Sequence, residues 1–436
     1  MPRSLSARIV AFEALQDFIP LYPVYQLLFT DHGLSATEVS SLFIIWSTTA
    51  FLLEVPSGAW ADVFSRRKLL VLGTLVRGLG FAGWIVIPSY AGFALGFVLW
   101  GISSALISGT FEALVYDELA ARGAADRYAG LIGRAKSAAL VLNLAATALA
   151  APLFKLGGYP LLGIVSVCSC LAQAAVALSL PEATPVATAD ETLEVEAETD
   201  SLAGEELPGA HLPGASPGGP TPGASRGGAS SPRDGVLARY LVMLRAGLSE
   251  VVTSRVVRKA VVLVALLGGF LAFDEYFPLL ARGIGASTAL VPLLIAGTVA
   301  AQAIGGALAG PAYRTPGWML GVGLALSAGL LAWGALSGTA VGFVPIAVGY
   351  GAMQLVIIIA EARLQDAITG PARATVTSVS GLFAEVFAVL VYAGFALGSV
   401  WFALPVLVAG LTIPLFLTAL ITPAALPPPA SHQEKG

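Results

Sequence analysis

The stretch Glu54-Val55-Pro56-Ser57-Gly58-Ala59-Trp60-Ala61-Asp62-Val63-Phe64-Ser65-Arg66-Arg67-Lys68 decides how the rest of the chain reads. One long apolar run ends inside it, three cations close it, and a second apolar run begins directly after Lys68. Each run approaches the ~20 residues that a helix needs to cross about 30 Å of hydrocarbon. Gly58 allows close helix approach, Asp62 can accept hydrogen bonds or face a helix N-terminus, and the cations anchor a tight turn at the membrane surface. The stretch therefore reads as a loop between two spans.

Outward from this loop the same pattern repeats. The chain has 436 residues, 56% hydrophobic and 11% charged, with a mean hydropathy of +0.83, more apolar than a soluble core can absorb. Spans are predicted at 9–30, 38–60, 69–88, 91–116, 131–153 and 159–180, and again at 260–281, 288–310, 317–336, 340–362, 375–398 and 401–422. Between them, 182–235 is acidic and then rich in Pro, Gly and Ser, a composition that cannot offset its ordering entropy, so it is predicted to be a disordered cytoplasmic linker. Residues 236–258 carry apolar side chains at Leu237, Leu241, Leu244 and Leu248 with arginines interleaved, the period of an amphipathic surface helix. The division is thus 1–181 as an N-terminal six-helix bundle, 259–425 as a C-terminal one, and 426–436 as a tail. The expected fold is an all-α membrane protein with 12 transmembrane helices in two pseudo-symmetric six-helix bundles.

Nearly all of the 23 cations fall on the side of the termini and linker; Lys155 and Arg282 lie opposite, and Arg77 lies inside a span. The positive-inside rule then places both termini in the cytoplasm of a multi-pass protein of the plasma (inner) membrane. The basic start, Met1 to Arg8, precedes an apolar run that contains Glu13 and Asp17 and lacks a small-residue cleavage site, so it reads as a retained first span. Cys168 and Cys170 lie within an apolar run and offer no disulfide or metal framework. A net charge of −4 argues against nucleic acid as a partner.

Short internal repeats support duplication. Asp17-Phe18-Ile19-Pro20-Leu21 in the first span matches Glu275-Tyr276-Phe277-Pro278-Leu279 in the seventh. Asp117 followed by Arg134-Ala135 after the fourth span parallels Asp366 followed by Arg373-Ala374 after the tenth. Repeat-built bundles place their substrate site at the repeat interface near the midplane.

The loop quoted at the outset resembles the signature of the major facilitator superfamily, a glycine, three residues, an aspartate and then paired basic residues, matched here by Gly58, Asp62, Arg66 and Arg67. Val63 and Ser65 depart from it, where the family usually has a basic residue and a glycine. The equivalent loop of the second half keeps Gly306 and Arg314 but has Gly310 in the aspartate's place. The resemblance implies an alternating-access transporter in which Asp62, Arg66 and Arg67 act in gating; topology anchoring is the plainer alternative.

Ionisable residues inside spans are expensive, roughly 2.5–3.5 kcal/mol each at a helix centre, and need a reason to be there. Glu13 and Asp17 share a helix face, Asp274 and Glu275 are adjacent, and Glu385 and Arg77 sit mid-span. These six are the expected proton and substrate cavity, against the alternative that they are interhelical hydrogen-bond glue; Arg77 is expected to neutralise a neighbouring carboxylate. Glu112, Asp117, Arg134, Asp366 and Arg373 are expected to form a cytoplasmic charge cluster. Asn143 and the aromatics Tyr22, Tyr25, Trp46, Tyr276, Phe277 and Tyr392 line a cavity or simply pack. Gly92 with Gly96 and Gly306 with Gly310 have the spacing of close helix contacts.

Gly130-Leu131-Ile132-Gly133-Arg134-Ala135-Lys136-Ser137 lacks the glycine before lysine of a phosphate loop, so direct ATP drive is unsupported. His32, His211 and His432 lie in loops or tails, leaving no intramembrane metal or nucleophile constellation; no cofactor, no metal and no enzymatic activity are expected. The first functional reading is a monomeric secondary transporter, exporting a lipophilic or cationic small molecule in exchange for protons. Proton-linked import of a small organic solute is second, and a non-transporting receptor third.

Overall fold

The structure, a computed structural model, describes residues 3–124, 127–182, 254–368 and 373–429. Most of the expected linker, the expected surface helix up to residue 253 and the last residues of the tail lie outside the described residues. The elements are α1 (Arg3–Gln16), α2 (Tyr25–Asp31), α3 (Ala36–Val63), α4 (Arg66–Val86), α5 (Tyr90–Ala120) and α6 (Tyr128–Ser179) in the first half. In the second half they are α7 (Arg255–Gly269), a 3-10 turn (Phe270–Tyr276), α8 (Phe277–Gly283), α9 (Val291–Ala309), α10 (Gly317–Leu336), α11 (Phe343–Ala367), α12 (Arg373–Gly398) and α13 (Leu404–Ala425). Among the described residues there is no strand.

Helix starts follow the local chemistry. Ser35 and Glu38 form a reciprocal capping box at α3, and Ser65, Ser89 and Ser254 accept from the third backbone N–H of α4, α5 and α7. The cap at Ser254 starts α7 ahead of the expected 260, so residues 255–258 belong to the seventh span rather than to a surface helix.

Ten helical stretches among the described residues are long and apolar enough to cross a membrane, and α6 contains two crossings. A straight helix of 52 residues would run roughly 78 Å, far beyond a bilayer. Yet Leu131 and Leu180, near its two ends, share one core cluster with Leu5 and Ile9. The reversal falls at Gly158, whose φ of 60° is left-handed and suits glycine, with Pro160 just beyond. Spans five and six are therefore an almost loopless hairpin. The first span escapes the count because it is broken between α1 and α2; with it, the crossings number twelve, as the sequence predicts.

Both breaks fall on the repeated motif. The helix stops around Asp17 to Pro20 in the first span, and gives way to a 3-10 turn ending at Tyr276 in the seventh. Proline removes a backbone donor in each, so the helix cannot propagate normally through it. Such discontinuous spans are how repeat-built transporters bring polar backbone and side chains to mid-membrane.

The two halves meet unevenly. A core cluster joins them through Val24, Phe43, Tyr276 and Tyr392, whereas a second cluster near the first-half end of the chain, around Phe12, Phe111 and Leu131, belongs to the first half alone. Within the second half, α9 and α11 touch backbone to backbone: a Cβ on Gly305 would collide with the Gly351 carbonyl oxygen. This close approach falls at Gly305 rather than at the expected Gly306 and Gly310, the latter facing open space. Gly96 lies against Gly80 of α4, backbone to backbone, and also makes room for the Trp84 indole, which donates to the Phe93 carbonyl at 3.0 Å. Large apolar side chains such as Leu156 and Trp333 stand mostly exposed around the outside, which suits lipid contact.

Candidate functional site

A cavity of about 310 Å³ lies between the halves, where the two broken spans face each other. Asp17 and Arg77 line it from the first half, Asp274 and Glu275 from the second, so four of the six expected cavity residues meet there. Glu13 and Glu385 line a wider vestibule of about 650 Å³ together with Glu54, Glu112 and Lys136. Gln16, Ser104 and Ile107 border both spaces, so the vestibule adjoins the central cavity on the side where the chain begins.

Each charge has a distinct setting. The Glu275 carboxylate accepts from the Tyr25 hydroxyl and, at 2.8 Å, from Gln26 Nε2, both across the divide between halves. Asp274 lies against Tyr350, whose hydroxyl also donates to the Leu271 carbonyl at 2.9 Å. Glu385 accepts from Ser47 of the first half. Arg77 makes no ion pair among the described residues, although its charge acts on the Asp17 carboxylate across the cavity. It donates to Gln173 Oε1 instead, and Gln173 is anchored to the Phe12 carbonyl at 3.0 Å. The reason is geometric, since α4 carries Arg77 toward the second arm of α6 rather than onto Asp17. Asp17 itself makes no side-chain hydrogen bond among the described residues.

Gln26, Ser47 and Gln173 were not legible as site residues in the sequence. Uncharged polar side chains are common in spans, and only the fold shows which of them faces a carboxylate across an interface. Of the aromatics, Tyr22, Tyr25 and Trp46 line the cavity, with Tyr22 stacked on Trp100 at 5.2 Å. Tyr276 and Tyr392 seal the wall beyond it; Tyr276 stacks on Phe395 at 3.5 Å. Phe277 packs edge-on against Tyr350, inside the second half. Asn143 lines the cavity and accepts from Thr147 at 3.2 Å.

One face is sealed. Asp31 accepts from Tyr159 at 2.6 Å and from Arg282 of the other half at 3.1 Å; Thr37 meets Ser399 at 2.9 Å, and Ser40 meets Tyr276 at 3.0 Å. The expected gating and charge-cluster residues lie at the opposite end. There Arg66 pairs with Asp117, Lys136 with Glu112 at 3.5 Å, and Arg67 with Glu182 at 2.8 Å, every pair within the first half. The Glu182 carboxyl is held below its usual range by a Ser65 hydrogen bond and the Arg67 guanidinium. Asp366 accepts from Tyr313 within the second half, and Arg134 lines a separate groove with Arg127. Among the described residues, the expected charge cluster is represented by these local pairs. The side chains of Gly58, Asp62 and Arg373 lie outside the described residues. Among the described residues, no group of three His, Cys, Asp or Glu side chains stands together as a metal site.

The sequence of residues 9–389 matches the family model of the Major Facilitator Superfamily. The chain belongs to this superfamily. It is a multi-pass integral membrane protein with the fold of that family's transporters. Solved structures with this fold include a mutant of the nucleoside transporter NupG, at a TM-score of 0.69 and 10% identity, covering 96% of this chain and 99% of that one. A D-xylose-proton symporter follows at a TM-score of 0.63 and 13% identity, covering 97% and 96%. No curated protein matches by sequence.

Proposed function

We propose that this superfamily member is a secondary transporter working by alternating access, exporting a lipophilic or cationic small molecule in exchange for protons. The observation that carries the reading is the set of three acids and one arginine, Asp17, Asp274, Glu275 and Arg77, lining a mid-membrane cavity that is sealed on one face. Such groups are costly in oil unless a wet cavity serves them. A carboxylate in that cavity exchanges its proton with whichever side is open. In this reading Asp17 is where cation and proton compete. Glu275 couples protonation to the gate, because a neutral carboxyl accepts more weakly from Tyr25 and Gln26 than a carboxylate does.

The positive-inside bias makes the open side cytoplasmic, with the termini in the cytoplasm of the plasma membrane. Glu13 and Glu385, in the vestibule, would relay protons toward Asp17. Asp62, Arg66, Arg67 and the charged pairs around Glu112, Asp117 and Arg134 would rearrange to close that side in the alternate state, while Asp366 and Arg373 would play the equivalent part in the second half. The protein would act as a monomer, since one chain supplies both halves.

Proton-linked import is the second reading, favoured by the uncharged polar groups Gln26, Ser103 and Asn143 on the cavity wall and by the nucleoside and xylose-proton transporters among proteins of like fold. The test is flux in proteoliposomes with an imposed pH gradient and a trapped pH dye, adding ethidium or tetraethylammonium to parent, Asp17→Asn and Glu275→Gln. Gradient-coupled flux in the parent that both variants lose supports the mechanism. Identical gradient-dependent rates in all three end it, and binding without flux means a receptor. The side from which the compound must be supplied separates export from import.

A further inference from the structure

Four buried polar atoms around the central cavity have no hydrogen-bond partner among the described residues: Gln26 Oε1, Trp46 Nε1, Arg77 Nε and Ser103 Oγ. Their residues all line the cavity, and they are half of the eight such atoms found. Gln26, Arg77 and Ser103 are 2%, 3% and 0% exposed, so bulk solvent does not relieve them. Unmet buried groups are rare and costly, and four around one hollow point to a ligand that meets them. Asp17, a carboxylate without a side-chain hydrogen bond among the described residues, lies on the same wall.

The chemistry of these groups restricts the ligand. Asp17 and Gln26 Oε1 accept only; Trp46 Nε1 and Arg77 Nε donate only; Ser103 does both. A bare quaternary cation satisfies Asp17 but leaves the Trp46 indole and Arg77 Nε donors unmet. A neutral sugar serves those donors yet offers Asp17 no positive charge. An anion meets three acids for one arginine. The wall also offers an aromatic surface, with Trp46 4.9 Å from Trp100 and Tyr22 stacked on the latter, against which a cation and an apolar ring face both pack well. The volume of about 310 Å³ lies at the small end of ligand pockets and suits a metabolite-sized molecule. The four atoms are covered in this state, so their side chains must turn as the ligand settles.

We propose that the central cavity selects a hydroxylated amine, a small organic cation that also carries several hydroxyl or carbonyl acceptors, as amino sugars and amino alcohols do. The inference rests on the reading of this cavity as the ligand site, but it is tested by binding alone. Isothermal titration of the purified full chain with glucosamine, glucose and tetraethylammonium measures it. Glucosamine is expected to bind at least about tenfold more tightly than the other two. Trp46→Phe keeps the ring and removes the donor, and should cut glucosamine affinity about three- to tenfold while affecting tetraethylammonium less. Asp17→Asn should weaken both cations. Thermal melting of each variant checks that it is folded, and the ranking in the parent protein decides the matter even if one is not.

Tetraethylammonium or glucose binding as tightly as glucosamine overturns the proposal. So does undetectable glucosamine binding, or a Trp46→Phe loss that is equal for both cations. Glucosamine preference without gradient-driven flux keeps this inference and removes the transport reading. Gradient-driven tetraethylammonium flux without that preference does the reverse.

Discussion

The two faces of the molecule are built differently. On the sealed face the polar contacts cross from one half to the other: Asp31 with Arg282, Thr37 with Ser399, Ser40 with Tyr276. On the open face the charges are more numerous, yet each described salt bridge stays within its own half, as Arg66 does with Asp117 and Lys136 with Glu112, and the Ser47–Glu385 hydrogen bond is what crosses in the vestibule. Charge abundance therefore does not mark the lock. What closes a face is which half the partner comes from, and the sealed face uses few, mostly neutral bonds with an aromatic layer behind them. A gate made of a few weak contacts can open without passing a large barrier.

Spin labels at the exposed Leu156 and Val400, one from each half, would report opening of the sealed face. Glu275→Ala should give the largest change, since it removes a carboxylate that accepts two bonds from the other half. Hydrogen bonds to charged groups contribute about 1.5–3 kcal/mol, so the open population of this face should rise roughly tenfold to a hundredfold. An unchanged distance distribution would mean that Glu275 is not part of the lock. Asp31→Ala should act more weakly. Its pair with Arg282 is just over a third exposed and worth about 0.2–1 kcal/mol, for a shift of about two- to fivefold. Thr37→Val, losing one exposed hydroxyl contact, should stay below about threefold.

Arg66→Gln, on the open face, should move the labels by less than about twofold, because its partner Asp117 belongs to the same half. A larger shift would break the contrast between the faces. The smallest effect concerns acid. Glu182 is held below its usual range in the folded chain, so its contribution is present above the unfolded carboxylate range and lost as pH falls through the lowered value. Arg67 accessibility to a guanidine-modifying reagent should rise only there; a rise already near neutral pH would show that the pair does not hold.

Much of the fold was readable because membrane insertion imposes strong one-dimensional rules. Length and hydropathy placed the spans, and the repeated acid, two apolar residues and proline around Asp17 and Glu275 marked the places where both helices break. The hairpin at Gly158 was less legible, since the hydropathy pattern separates spans five and six without showing that a single glycine turns the chain back. Among the residues that line the central cavity, a charge in oil announces itself, so Asp17, Arg77, Asp274 and Glu275 could be chosen in advance. Their partners could not. Nothing in the spelling of Gln26, Ser47 or Gln173 distinguishes a residue facing a carboxylate or guanidinium from one that packs, and Arg77 turned toward an amide where a carboxylate was expected.

The sequence by itself determined how many times this chain crosses the bilayer and which ionisable groups it buries, because the cost of each is paid residue by residue against lipid. Only the tertiary structure decided which of those groups share one cavity, which face is sealed and which polar atoms stand unmet around the hollow. Those properties depend on contacts between segments hundreds of residues apart, such as Gln26 with Glu275, and no local pattern encodes the angle at which two bundles meet.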